Sequence, residues 1–123
     1  MINSRDIEEL KPEFKIKVLE WLALCRAADI NLKIISTYRD NEYQDFIYAS
    51  GRTRAGRILT RARGGQSLHN QRLALDFCIM HGAQIDWASV GEYERAGKLA
   101  ESIGIKWGGR FKARDFGHIE FKF

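Results

Sequence analysis

Apolar residues Ile7, Leu10, Phe14, Val18, Trp21, Leu22 and Cys25 recur at three- and four-residue steps, which predicts a helix over residues 6–29. Pro12 falls inside that pattern. It marks the first turn of the main helix and leaves the residues before it as a short separate turn. Residues 32–37 (Leu-Lys-Ile-Ile-Ser-Thr) are short and β-rich and read as a strand. Residues 41–50 read as a helix with Tyr43, Phe46, Ile47 and Ala49 apolar, closed by Gly51 as a C-terminal cap. Residues 73–80 form a second predicted strand, bounded by the His81-Gly82 turn, and a short strand over 84–87 can pair with it as a hairpin. Ser89 is a candidate N-cap for a helix reaching Ile103, with Gly104 ending it. A Gly108-Gly109 turn leads to a last strand, 117–123, where Ile119, Phe121 and Phe123 alternate with His118, Glu120 and Lys122. Helices and strands in no strict β-α-β order predict an α+β fold, a small antiparallel sheet packed with two to three helices.

Residues 51–66 break the periodicity. They hold four glycines and five arginines (Arg52, Arg54, Arg57, Arg61 and Arg63) and read as a long loop. Loops of that length in a compact domain are usually functional or mobile. No Phe, Tyr or Trp falls between Arg52 and Arg63, so the aromatic interleaving of a nucleic-acid surface is missing. The bland reading is a solvated loop; the sharper one is contact with an anionic wall or membrane polymer.

The chain has 123 residues, which fits one domain over 1–123. The net charge of +4 favours an anionic partner only mildly. Two cysteines, Cys25 and Cys78, sit in apolar stretches and read as buried hydrophobes rather than a disulfide framework. The N-terminus lacks the apolar core of a secretory signal, and no run approaches the roughly twenty apolar residues that span a bilayer. These features predict synthesis in the cytoplasm, no membrane insertion and, by default, a monomer.

Three histidines are present, and two lie near carboxylates. His69 enters the second strand, and Asp76 lies within it between Leu75 and Phe77. A carboxylate in a buried strand is costly unless a cation compensates it. A metal ion is one answer; a salt bridge to Arg72 is the other. In the second cluster His118 and Glu120 share the strand face opposite Ile119 and Phe121, with Asp115 just upstream. Two imidazoles and one carboxylate make a zinc site with an open position, the catalytic rather than the structural pattern. A carboxylate must then serve as general base, and Asp115 and Glu120 are the candidates. Ser67 lacks the GxSxG turn of a serine nucleophile, and His81 reads as an exposed turn residue.

As an ordered set, Ser67-x-His69-x6-Asp76 followed by Asp115-x2-His118 resembles the zinc D-Ala-D-Ala peptidases (M15-type). It is most similar to their L-alanyl-D-glutamate endopeptidases of phage and bacterial origin. Ser36-Thr37-Tyr38-Arg39 with Gln44, then Gly51-Arg52-Thr53, Gly65-Gln66, and Trp107-Gly108-Gly109 fall in the same order, so the resemblance spans residues 32–123.

The resemblance implies a Hedgehog/DD-peptidase-like fold and one Zn2+ per chain, held by His69, Asp76 and His118. It implies Asp115 as general base and Arg39 as oxyanion or carbonyl anchor. Ser67 and Gln44 would contact substrate, with Glu120 and Trp107 supporting the ligands from behind. The implied substrate is the peptidoglycan stem peptide, cut between L-Ala and D-Glu. With no separate wall-binding domain over 1–123 and no secretory signal, the expectation is a phage endolysin that reaches a thin, Gram-negative wall after release. The alternatives are a D-Ala-D-Ala carboxypeptidase and a non-catalytic wall-binding relative. One departure stands out: many members carry glycine where this chain has Arg72.

Overall fold

Pro12 opens helix α1 (Pro12–Ala27), where its fixed φ suits the first turn and its missing N–H costs nothing. Upstream, Asp6 caps a separate 3-10 turn (Ile7–Glu9) by accepting the Glu8 N–H at 2.9 Å. Phe14, Val18, Trp21 and Cys25 form the buried stripe of α1. The computed structural model describes residues 1–123 and continues with β1 (Leu32–Ser36), α2 (Asn41–Ala49), β2 (Ala74–His81), β3 (Gln84–Asp86), α3 (Val90–Ser102), β4 (Ile105–Trp107) and β5 (His118–Phe121).

One antiparallel sheet runs in the order β1-β2-β5-β4. β5 pairs with the first half of β2, and β3 with its second half. Leu75, Phe77 and Ile79 of β2 and Ile119 of β5 are fully buried, in one core with α1 and with Tyr93, Ala96 and Ala100 of α3. Trp21 joins the layers: its ring meets Phe77 edge-on at 5.1 Å, and its Nε1–H donates to the Ala96 carbonyl at 2.9 Å. Cys25 and Cys78 are buried and unpaired.

The α+β prediction agrees with this architecture in every helix and in four of the five strands. The exception is β4. Three residues, Ile-Lys-Trp, are too short to show alternation, and only pairing with β5 makes them a strand. Ser89 occupies the N-cap of α3 but makes no side-chain capping bond; its Oγ donates to Glu92 Oε1 at 3.0 Å. Trp87 is 61% exposed, although its ring stacks on Tyr93 at 6.4 Å.

Helix α3 reaches the sheet through Gly97. A Cβ there would lie 2.2 Å from the Trp107 indole, so only glycine permits this approach. Gly97→Ala is expected to destabilise the fold by about 1–3 kcal/mol, because overpacking outweighs the helix-propensity gain of about 1 kcal/mol. Thermal unfolding checks this, and an unchanged midpoint would show that Trp107 can move aside.

Candidate metal centre

Register brings the first two residues of the site together. Asp76 of β2 lies opposite His118 of β5 on one side and Ser36 of β1 on the other. Its side chain leaves the sheet on the face opposite Leu75 and Phe77. The third residue, His69, comes from a 3-10 turn (Leu68–Gln71) just before β2. A capping box holds that turn. Ser67 Oγ accepts the His69 N–H at 3.2 Å, and Asn70 Oδ1 accepts the Ser67 N–H at 3.2 Å. Asn70 Nδ2 also donates to the Arg39 carbonyl at 2.9 Å, tying the turn to the end of β1.

His69 Nδ1 lies 2.8 Å from the Thr37 carbonyl oxygen. A carbonyl only accepts, so Nδ1 carries the proton and Nε2 presents a lone pair. That Nε2 is buried without a hydrogen-bond partner, 3.2 Å from Asp76 Oδ1. Two acceptors facing each other in a buried site need a cation between them. His118 Nδ1 approaches the same Oδ1 at 2.8 Å, and its Nε2 lies 2.8 Å from Glu120 Oε1.

Ligand atoms of His69, Asp76 and His118 all fall within 4.8 Å of one another. Two imidazole nitrogens and one carboxylate oxygen suit a zinc-type divalent ion, so the residues fit such a group. The orphaned lone pair of His69 is the observation that decides the fit.

The electrostatics agree. Burial alone would raise the Asp76 carboxyl, but positive charge at the His69 and His118 positions, the same cation that the facing lone pairs call for, holds it well below the usual carboxylate range. Burial would lower His118, yet the hydrogen bonds to Asp76 and Glu120 outweigh it and push the imidazole up to about 10. With a proton on both ring nitrogens, His118 stands in for a cation. A metal would displace the Nδ1 proton while Glu120 kept its hydrogen bond to Nε2.

Arg39, expected to address substrate, is already engaged. Its Nη2 donates to Asp76 Oδ2 at 2.6 Å, Nε to Ser36 Oγ at 3.0 Å and Nη1 to Gln44 Oε1 at 3.4 Å. The arginine beside Asp76 is therefore Arg39, not Arg72. Arg72 pairs instead with Glu9 at 2.6 Å and lies over the Tyr38 ring at 3.8 Å. Its backbone fits the glycine that the resemblance leads one to expect there. Arg72 ends the 3-10 turn in the left-handed region, at φ 64°, which glycine adopts without strain.

Gln44, expected to touch substrate, is fully buried; its Nε2 donates to the Ala62 carbonyl at 2.9 Å and to Thr60 Oγ1 at 3.4 Å. It orients Arg39 and anchors the loop. Trp107 is buried as well, and its Nε1–H donates to the Phe116 carbonyl at 2.9 Å, steadying the turn before His118.

Asp115 differs from Glu120 in being unengaged. Its side chain is 59% exposed, and Oδ2 stands 4.0 Å from His118 Nδ1. Partial loss of water beside the buried ligands, and then the charge of Asp76, raise its carboxyl above the ordinary value. A cavity of about 330 Å³ opens over the three residues and is lined also by Arg39, Tyr43, Leu59, Ser67 and Asp115. The sequence reading missed Thr37 and Asn70, which set the His69 tautomer and hold its turn. The Ser67-x-x-Asn70 spacing was the available signal for the capping box.

The arginine-rich loop is tied down more than its composition suggests. Arg52 stacks on Tyr48 and Arg54 on Phe46, each at 3.8 Å, and Arg63 lies 5.1 Å from the Tyr48 ring. The aromatic partners come from α2 rather than from the loop. His81 is exposed at the far end of β2, between Asp86 Oδ2 at 2.9 Å and Glu92 Oε1 at 2.5 Å. Those carboxylates, chiefly Glu92, raise its pKa. No helix is long and apolar enough to cross a membrane.

The chain is 36% identical over 101 residues to the peptidoglycan L-alanyl-D-glutamate endopeptidase CwlK of Bacillus subtilis (strain 168). That alignment covers 74% of this chain and 60% of CwlK, so the chain spans about three-fifths of that relative's length. The fold is similar to the L-Ala D-Glu endopeptidase ChiX of Serratia marcescens, with a TM-score of 0.71 and 16% identity over 99% of this chain and 90% of that one. It is also similar to a D,D-pentapeptidase VanY from a VanB-type resistance cassette, solved with Zn(II). There the TM-score is 0.67, with 14% identity over 91% of this chain and 72% of that one. At those identities the two structures speak for the fold alone. Residues 7–113 match the family described as VanY, D-alanyl-D-alanine carboxypeptidase, a stretch that includes His69 and Asp76 and stops two residues before Asp115. With sequence match and architecture in agreement, the chain belongs to the VanY D-alanyl-D-alanine carboxypeptidase family.

Proposed function

We propose that this protein is a zinc-dependent peptidoglycan peptidase that hydrolyses the stem peptide between L-Ala and D-Glu, with His69, Asp76 and His118 as the metal ligands. The observation that carries the reading is the buried, unpartnered Nε2 of His69, aimed with His118 Nδ1 at one oxygen of Asp76. The likeness to CwlK supports the choice of bond.

A zinc ion held there would supply Lewis acidity, polarising a carbonyl and acidifying water. The protein's own groups do the rest. Thr37 fixes the His69 tautomer, and Glu120 holds the His118 ring. Asp115 Oδ2 faces the cavity with no hydrogen bond of its own, placed to take a proton from water and return it to the leaving amine. Arg39 uses three of the five N–H groups of a guanidinium on Ser36, Gln44 and Asp76, and the others can reach a carbonyl oxygen in the cavity. Ser67 lines the cavity with its hydroxyl proton free to donate to substrate.

Mass spectrometry of products from purified wall tests the bond. Peptides with a new N-terminal glutamate are expected. Release of free D-Ala instead would favour the second reading, a carboxypeptidase, which the family description supports. No product of either kind would leave a wall-binding relative. The endolysin role belongs to the same proposal, and its measure is lysis of outer-membrane-permeabilised cells by added protein.

A further inference from the structure

A second groove, of about 1100 Å³, opens from the metal centre and shares Leu59, Thr60, Ser67, Asp115 and His118 with the smaller cavity. Its two acidic residues, Asp115 and Glu120, belong to the site already described. Away from them the lining is cationic and apolar: Arg52, Arg61 and Arg114 with Ile58, Leu68 and Phe111. Arg52 is spent on Tyr48, stacking on its ring and donating to its carbonyl at 2.6 Å. Arg61 and Arg114 are different. Both are exposed, and neither has an ion-pair partner within 4.0 Å or a side-chain hydrogen bond. The field of Arg114 reaches Glu94, whose own partner is Lys98. Two unpaired guanidinium groups thus face one channel whose other end is the reacting centre. A guanidinium fork matches a carboxylate.

We infer that this groove receives a free carboxylate of the substrate, carried on a residue beside the scissile bond, and that Arg61 and Arg114 are specificity-determining residues that select an acidic peptide over its neutral counterpart. The inference rests on the peptidase reading above. A glutamate linked into a chain through one carboxyl keeps the other free, and in a peptide cut before glutamate that carboxylate sits one residue from the reacting carbonyl. The apolar stretch of Ile58, Leu68 and Phe111 would cover the aliphatic part of the same residue.

The test uses two synthetic stem peptides that differ only in that free carboxylate, present in one and replaced by a primary carboxamide in the other. Zinc-loaded wild type, Arg61→Gln, Arg114→Gln, the double variant and Arg57→Gln are compared by kcat/KM and by equilibrium binding followed by NMR. Arg57 lies in the same loop outside the groove, so its variant controls for the change in net charge. Wild type is expected to prefer the acid by roughly tenfold, mostly through KM, with about threefold lost per arginine, as for exposed charge pairs. The double variant then shows no preference, Arg57→Gln keeps it, and added salt narrows it. Equal handling of the two peptides by wild type, or a preference surviving in the double variant, overturns the inference. The peptidase reading fails separately: arginine-dependent preference in binding without cleavage of either peptide would retain the groove and remove the enzyme. Equal cleavage and equal binding would do the reverse.

Discussion

His118→Ala is expected to abolish stoichiometric zinc uptake while the chain still folds. Wild type purified without added zinc should carry about one ion per chain, the content expected for a single three-ligand site. The reasoning starts from the strand register. Asp76 is flanked by His118 in the sheet, and His69 reaches the same carboxylate oxygen from the capped turn. Removing one imidazole leaves two ligands, one short of the three-ligand set with an open fourth position. The loss should exceed the roughly 10–100-fold that removing a supporting partner costs. Glu120→Gln provides the comparison, since Glu120 touches only the outer nitrogen of His118 and its variant should weaken binding without abolishing it. Elemental analysis and competition with a chelator measure both. Full zinc content in His118→Ala would mean that the metal sits elsewhere, and the orphaned His69 Nε2 would need another explanation.

Asp115→Ala is expected to retain zinc and lose about 10²–10⁴-fold in turnover, the usual weight of a positioned general acid–base group. The two candidate bases differ in their contacts. Glu120 is occupied in holding His118 Nε2 at 2.8 Å, whereas Asp115 makes no hydrogen bond through its carboxylate and looks into the cavity. The backbone around Asp115 is tightly placed: its carbonyl lies 2.5 Å from where a Cβ on Gly108 would sit, so that glycine admits the turn carrying the carboxylate. Metal content and wall hydrolysis must be read together. Undiminished hydrolysis in Asp115→Ala would move the proton transfer to Glu120 or to water alone. Joint loss of zinc and activity would make Asp115 a structural rather than a chemical requirement.

Much of this molecule was legible along the chain because the signals are local. The stripe of Phe14, Val18, Trp21 and Cys25 follows a helical period, and the alternation around Ile119 follows a strand period. Spacing placed His69, Asp76, Asp115 and His118 in two clusters, and the resemblance joined them. β4 escaped because three residues carry no period, and pairing with β5 supplies what their sequence lacks.

Partner choice was legible only in three dimensions. Nothing along the chain says that Asp76 meets Arg39, thirty-seven positions away, while nearby Arg72 turns to Glu9. The left-handed backbone at Arg72 and the pairing of β1 with β2 decide it. The resemblance made Gln44 a substrate contact. Its burial against Ala62 and Thr60 makes it an anchor. Arg52 and Arg54 stay exposed but stack on Tyr48 and Phe46 of α2, contacts that no spacing announces. By itself the sequence determined the helices and all strands but β4, the fold class and the residue types able to hold a metal, since these follow from local periodicity and short spacings. Only the tertiary structure decided which charge faces which, which lone pair is left unpartnered and which arginines remain free, because those depend on distances between segments that chain order does not set.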